Sequence, residues 1–193
     1  MRYIFLVSGY SKSGKDHFTD YVIKYKNLKK YSIATELKTI VQRKYNLNHK
    51  LLETQDGKST IVLPTGETVR DLLIKEALIL KRFNKDIFIT GLLDTITIND
   101  YINTTSFTKL DNVIISDFRY ASEYACIKRN SNLYLNTNTK IITIRINRFS
   151  EAPDKIESEI NLDNFKFTHY IDNTKTIKYF EKNINKFMKF YQF

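Results

Sequence analysis

A single cysteine, three histidines and the want of any long apolar run narrow the reading of this 193-residue chain before any motif is considered. One thiol cannot close an internal disulfide, which suits a reducing compartment and points to the cytoplasm (a host's cytoplasm if the source is viral). Cys126 sits between Ala125 and Ile127 in an expected helix, a setting for a buried structural thiol rather than a nucleophile. His17, His49 and His169 lie far apart without metal-ligand spacing, so no structural metal is inferred. No apolar stretch approaches the length of a membrane span, and no membrane partner is expected. The apolar start has no Ala-x-Ala-like cleavage site and is needed as a strand, so no signal peptide is expected. Internal repeats and low-complexity linkers are missing too. The 13 Tyr and 13 Phe fall at core-like positions and form no interleaved aromatic and basic platform for single-stranded nucleic acid.

What is present is a soluble-type composition, 42 % hydrophobic and 27 % charged, long enough for one full core. A single domain, 1–193, is the expectation. The formal charge of +10 fits nucleic acid or small polyanions such as nucleotides. The lysines are scattered over most expected helices, so most of the charge reads as a solvated surface with a modest steering role, and nucleic acid is the weaker partner. A homodimer stays open.

The densest information lies in Tyr3–Asp16. An apolar run, Tyr3 to Val7, suits a buried parallel strand. Gly9-x-x-x-x-Gly14-Lys15 follows, and then a helical pattern with Phe18, Val22 and Tyr25 on one face. Strand, glycine loop and helix together are the context that a phosphate-binding P-loop needs. Its backbone N–H groups wrap phosphate oxygens, Lys15 reaches the β/γ oxygens, and the helix N-terminus adds partial positive charge. Ser13 is small and polar as such a loop requires, and Lys12 adds charge near the phosphates or faces solvent. Asp16 stands where most such loops carry Ser or Thr.

Along the chain, short apolar strands alternate with amphipathic helices, the signature of an α/β layer fold with a parallel sheet. Strands are expected near 3–8, 30–34, 112–116, 140–146 and 167–172, with helices near 14–26, 35–45, 67–83, 85–98, 120–130 and 174–190. Residues 51–68 read as irregular, with a small strand at Ile61–Leu63, and Thr65 or Thr68 is the cap candidate for the helix after them. Asn147 to about Asn164 is polar, includes Pro153, and reads as a mobile excursion. In such sheets ligands lie beyond the carboxyl ends of the strands. There the sequence places Ser116-Asp117-Phe118-Arg119, where an Asp can hold Mg²⁺ through water and an Arg two residues on faces the same side. Arg70 opens a helix and suits a substrate phosphate or an exposed surface. Arg145 and Arg148 flank the end of a strand, where arginines can close over transferring phosphate or form a polar rim.

These motifs together resemble the P-loop small-molecule kinases that include phage-type deoxynucleoside monophosphate kinases and animal-type phosphomevalonate kinases. The resemblance rests on Ser13-Gly14-Lys15-Asp16, on Asp117-Phe118-Arg119, on Leu51-Leu52-Glu53-Thr54 with Lys58 soon after, and on Glu157-Ser158-Glu159-Ile160-Asn161-Leu162-Asp163-Asn164-Phe165 with Asp172-Asn173 beyond. Glu53 replaces a family Asp, Asn161 a usual Gly, the lid is short, and residues 61–66 form an insertion before the Arg70 helix.

The resemblance implies a three-layer fold with a five-stranded parallel sheet, an acceptor-binding region over about 35–98 and a lid over about 147–164. It implies ATP as donor with Mg²⁺ near Asp16 and Asp117. The nucleotide is expected at Gly9, Lys12, Ser13, Gly14, Lys15, Asp16 and His17, with Arg145 and Asn173. Acceptor binding is expected at Lys38, Lys58, Arg70, Arg119 and Glu157. Lys15, Asp117, Arg119 and Arg148 are expected to carry transfer. The Glu157–Phe165 stretch leans toward phosphomevalonate. The short chain, its A/T-rich coding bias and the wide viral use of the alternative activity lean toward nucleotide metabolism. The acceptor favoured is a deoxynucleoside or nucleoside monophosphate. Phosphomevalonate or another small phosphate is the alternative, and a nucleic-acid-binding P-loop protein without transfer activity is the reading from another class.

Overall fold

The computed structural model describes residues 2–103, 111–134, 139–152 and 156–191. Pro153, expected in the lid, lies outside them. Five strands form one sheet: β1 (Arg2–Ser8), β2 (Leu28–Tyr31), β3 (Asn112–Ile115), β4 (Thr139–Asn147) and β5 (His169–Asp172). Their order is β2-β3-β1-β4-β5, and every pairing is parallel. β1 is central, with Ile4 opposite Val113 on one side and Ile141 on the other. Such a strand has no solvent face, which is why its sequence reads as a continuous apolar run. Phe5 and Val7 point into a cluster with Phe18 and Val22 of α1 (Lys15–Tyr25) and Phe180, Ile184 and Phe187 of α9 (Ile177–Phe190). Their neighbours Ile4 and Leu6 point to the opposite face and are equally buried. The sheet is therefore covered on both faces, as expected from the alternation of strands and helices.

Contacts divide the chain into two compact units, Met1–Ile33 with Leu93–Phe193, and Ala34–Leu92. The first holds the sheet. The second is built from α2 (Ala34–Tyr45), α3 (His49–Glu53), α4 (Gln55–Lys58) and α5 (Val69–Phe83), around Val41, Leu52, Val69 and Leu72. α6 (Ile87–Asn103) begins in the second unit and ends in the first. α7 (Ala121–Tyr134) and the one-turn α8 (Glu157–Ile160) complete the first. Among the described residues no helix is long and apolar enough to cross a membrane.

Several segments differ from the sequence expectation, among them residues 147–164, read as a mobile excursion, which carry the helical turn α8 with Glu159 and Leu162 buried. β2 ends at Tyr31 rather than reaching Ala34, because the Asp117 carboxylate takes the Ser32 hydroxyl and the Ile33 amide at 2.7 Å each and turns the chain. The stretch read as irregular contains α3 and α4. Each starts at a side-chain cap, Asn48 accepting from the Lys50 amide and Thr54 from the Gly57 amide, and each is too short to show a helical period. The residues read as a small strand make only an isolated antiparallel bridge, Ile61 to Thr68. α6 runs five residues past its expected end. Arg2 grips Asp100 in its last turn with two hydrogen bonds, at 2.7 and 3.1 Å, and thereby ties that turn to the start of β1. The cap of α5 is Thr68, in a capping box with Asp71.

Candidate active site

β1 ends at the carboxyl edge of the sheet, and the chain there must turn sharply into α1. It does so through left-handed backbone at Lys12 (φ 61°) and Gly14 (φ 100°). A Cβ on Gly9 would lie 2.4 Å from Ser13 Oγ and 2.8 Å from the Ile146 carbonyl oxygen of β4. The loop is thus wound as tightly as glycine permits. The Ser13 amide donates back to the Tyr10 carbonyl at 3.1 Å. The buried Asn173 amide, just after β5, donates to the Ser13 carbonyl at 2.8 Å and fixes the loop from outside. The Ser13 hydroxyl is fully buried with no hydrogen-bond partner among the described residues.

The Gly9 contacts predict a large local cost. Gly9→Ala should lose about 1–3 kcal/mol of stability by urea denaturation, because a β4 backbone carbonyl cannot step aside. Gly66→Ala, where an added Cβ meets nothing within 4 Å but φ is +83°, should lose about 1 kcal/mol. Equal losses would contradict the tight-loop account.

Lys15 is the first residue of α1, and its ammonium donates to the Gly9 and Tyr10 carbonyls at 2.8 and 2.9 Å. Burial, reinforced by the Arg119 and Arg145 charges, pulls its pKa down to about 8, while Glu159 and Asp16 act in the opposite sense. The unfolded chain keeps this proton to about pH 10.5. The penalty is therefore full below about pH 8, and stability rises with pH from there toward 10.5 as the unfolded state alone holds the proton. A bound polyanion reverses the shift. Inorganic triphosphate binding near pH 8 should take up a fraction of a proton and weaken as pH rises further, which calorimetry in buffers of different ionisation enthalpy measures. Binding without proton uptake would contradict this.

Around the loop lie two arginine–carboxylate pairs. Arg119, two residues beyond Asp117, donates to Glu159 at 2.5 Å, and the second oxygen of Glu159 accepts from the Ser11 amide at 2.5 Å. Arg145, at the end of β4, pairs with Asp163 at 3.0 Å and stacks over the Tyr10 ring at 4.3 Å. Asp163 also accepts from the Tyr10 hydroxyl at 2.7 Å. Arg145 is only 8 % exposed and Arg119 is 37 % exposed, so Arg119 is the guanidinium open to a ligand.

The expected residues fall into three groups. Gly9, Ser13, Gly14, Lys15, Arg119, Arg145 and Asn173 meet at or around the loop, and Lys12, within it, is exposed. Asp117 stands at the end of β3 next to β1, its oxygens engaged by Ser32 and Ile33. Asp16 is exposed in the first turn of α1. His17 turns its ring to α9, 3.3 Å from Glu181 and 5.7 Å from the Phe180 ring, so only its backbone belongs to the helix N-terminus. Arg148 is exposed and lies over Phe149, and Glu157 is exposed at the start of α8.

Lys38, Lys58 and Arg70 belong to the second unit. There Lys38 pairs with Glu53 at 2.8 Å, Arg70 donates to Gln55 at 2.7 Å, and Lys58, half-buried at the end of α4, lies in the field of Glu53.

The sequence motifs include Glu159 and Asp163 but assign no role to them or to Tyr10. Glu159 could have been found from spacing, since it shares a face with Leu162 three residues on, and both are buried.

No family model and no curated protein matches the sequence. Among solved structures, dephospho-CoA kinase from Campylobacter jejuni superposes with a TM-score of 0.53 at 16 % identity, over 98 % of this chain and 96 % of that one. The chain has a P-loop-kinase-like α/β fold. In that fold the loop after β1 and the residue pair after β3 meet at the carboxyl edge of the sheet, where Lys15 and Arg119 lie within each other's field.

Proposed function

We propose that this chain is an ATP-dependent phosphotransferase whose acceptor is a small phosphorylated molecule, a deoxynucleoside or nucleoside monophosphate. The observation that carries the reading is the pairing of two cations at one edge. Lys15 stands in a loop wound for phosphate, and the part-exposed Arg119 stands beside it, close enough to depress its pKa. One cation serves the donor phosphates and the second serves the acceptor phosphate or the transferring group. The loop fits a nucleotide's phosphates. Gly9 lets the loop close against Ser13 and the Ile146 carbonyl, and the left-handed turns at Lys12 and Gly14 set up the close approach of the backbone to a ligand.

Asp16 and Asp117 would hold Mg²⁺ through water, and the ion would supply positive charge against the phosphates. Asp117 suits an outer position, because both of its oxygens already accept hydrogen bonds. An acceptor phosphate is already a nucleophile and needs no general base, in keeping with a site built of cations and amides. Lys15 holds the donor, Arg119 aligns the acceptor, and residues 147–164 serve as the lid that excludes water. The solved neighbour's name is that of a kinase with a small-molecule acceptor, which agrees in reaction class and leaves the acceptor to experiment.

The test is ADP release from ATP-Mg²⁺ with deoxy- and ribonucleoside monophosphates, phosphomevalonate and dephospho-CoA, against a Lys15→Ala background. A nucleoside monophosphate should give the largest signal. A signal only from phosphomevalonate or dephospho-CoA moves the acceptor, and no signal above background defeats the reading.

A second reading, nucleic-acid binding without transfer, draws support from α9. Lys178, Lys182, Lys186 and Lys189 line one shallow depression with Tyr21. Strong, salt-dependent binding of oligonucleotides, lost when those lysines become Gln, would favour it.

A further inference from the structure

The group that joins the candidate phosphate loop to Arg119 is one to which the sequence motif assigns no role. We propose that Glu159 is a positioning residue: its carboxylate joins the Ser11 amide of the phosphate loop to the Arg119 guanidinium and holds donor and acceptor cations in register for in-line transfer. The proposal rests on the phosphotransferase reading above.

The Glu159 side chain is 4 % exposed. A carboxylate so buried costs several kcal/mol unless it is paired and hydrogen-bonded. Here each oxygen has one partner at 2.5 Å, the Ser11 amide on one side and Arg119 on the other. Both partners are groups that phosphate oxygens would use. Glu159 takes one nitrogen of Arg119 and fixes the guanidinium plane, while the 37 % exposure of Arg119 leaves it open toward a ligand.

The segment carrying Glu159 is itself held. Leu162, one turn on, is buried, and the Asn161 side chain accepts from the Ala121 amide at 3.0 Å. Asp163, four residues beyond Glu159, repeats the device by taking the Tyr10 hydroxyl and Arg145. Two carboxylates from one short segment thus grip two loop residues and two arginines. Lys15 senses this arrangement. Arg119 and Arg145 lower its pKa, and Glu159 and Asp16 raise it.

The experiment compares wild type, Glu159→Gln and Glu159→Asp in three readouts. The first is the pH dependence of Lys15 acylation by an amine reagent, followed by peptide mass spectrometry and needing no ligand. The second is affinity for inorganic triphosphate. The third is the split of kcat and KM with the best acceptor.

Glu159→Gln removes the charge that favours Lys15 protonation, so Lys15 should label about two- to threefold faster at pH 7. Its kcat should fall by about 10- to 100-fold as Arg119 loses its bearing, with KM for ATP little changed. Glu159→Asp keeps the charge but cannot span both partners. It should lose kcat without the change in Lys15 labelling.

Unchanged Lys15 labelling in Glu159→Gln overturns the proposal, as does unchanged kcat with only a lowered Tm, which marks a structural role. Tighter triphosphate binding in Glu159→Gln also overturns it, since the carboxylate would then be blocking the loop. A wild type that transfers to no acceptor defeats the phosphotransferase reading instead, and Lys15 labelling still reports on Glu159.

Discussion

Lys15→Ala should lower kcat/KM for phosphoryl transfer by about 10²- to 10³-fold while leaving the fold at least as stable as wild type at pH 7. The first half follows from charge and place. The ammonium sits in the loop proposed to cradle phosphate, held on the Gly9 and Tyr10 carbonyls, whereas Lys12 is exposed. A loss of this size corresponds to about 3–4 kcal/mol of transition-state stabilisation.

The second half separates a functional residue from a structural one. Folding carries Lys15 from a pKa of 10.5 to about 8, so at pH 7 the folded state bears the cost of a desolvated cation among arginines. Substitution removes that cost, about 3 kcal/mol as an upper figure, and forfeits the two hydrogen bonds to the Gly9 and Tyr10 carbonyls. The terms nearly cancel or favour the variant. Thermal and urea unfolding check this, and a Tm well below wild type would mean that the lost activity reports unfolding. A residue that costs stability and supplies activity is what a phosphate site requires.

The same distinction explains which parts of this molecule can be read from its sequence. β1, the loop and α1 are legible because three local signals agree: a two-sided apolar strand, glycines where a Cβ will not fit, and a helix with one apolar face. Asp117-x-Arg119 is legible because a strand end is where α/β sheets place ligand groups. The finer end of β2 is not, because Ser32 and Ile33 are turned by a carboxylate 84 residues further along in Ile33's case, a contact that no window of sequence contains.

α3 and α4 escape for the opposite reason. They are one turn long and rest on caps rather than on a periodic face. Glu157 and Glu159 differ only in which side of α8 they occupy, and long-range contact decides that. The residue reaching the loop and Arg119 is Glu159, while Glu157 stays exposed.

Arg119→Ala should fail in two separable ways. Transfer should fall by about 10²- to 10³-fold, the typical effect of removing one preorganised cation from a phosphoryl-transfer site. Stability should fall as well, because Glu159 stays buried when its guanidinium is gone. Breaking a fully buried pair costs about 3–5 kcal/mol. Arg119 is 37 % exposed, so water can fill part of its place, and the Ser11 amide and Lys15 remain near the carboxylate. A loss of about 2 kcal/mol is therefore the expectation.

The double variant Arg119→Ala/Glu159→Gln decides between the two effects. Neutralising Glu159 should return most of the lost stability and none of the activity, a coupling that a double-mutant cycle in urea reads directly. Lys15 gives an independent signal. With Arg119 removed its pKa should rise from about 8, since that guanidinium pushes it down, and with Glu159 neutralised as well it should fall back. Additive stability losses would show that Arg119 and Glu159 act separately, and Lys15, Arg119 and the loop would then not form one electrostatic unit.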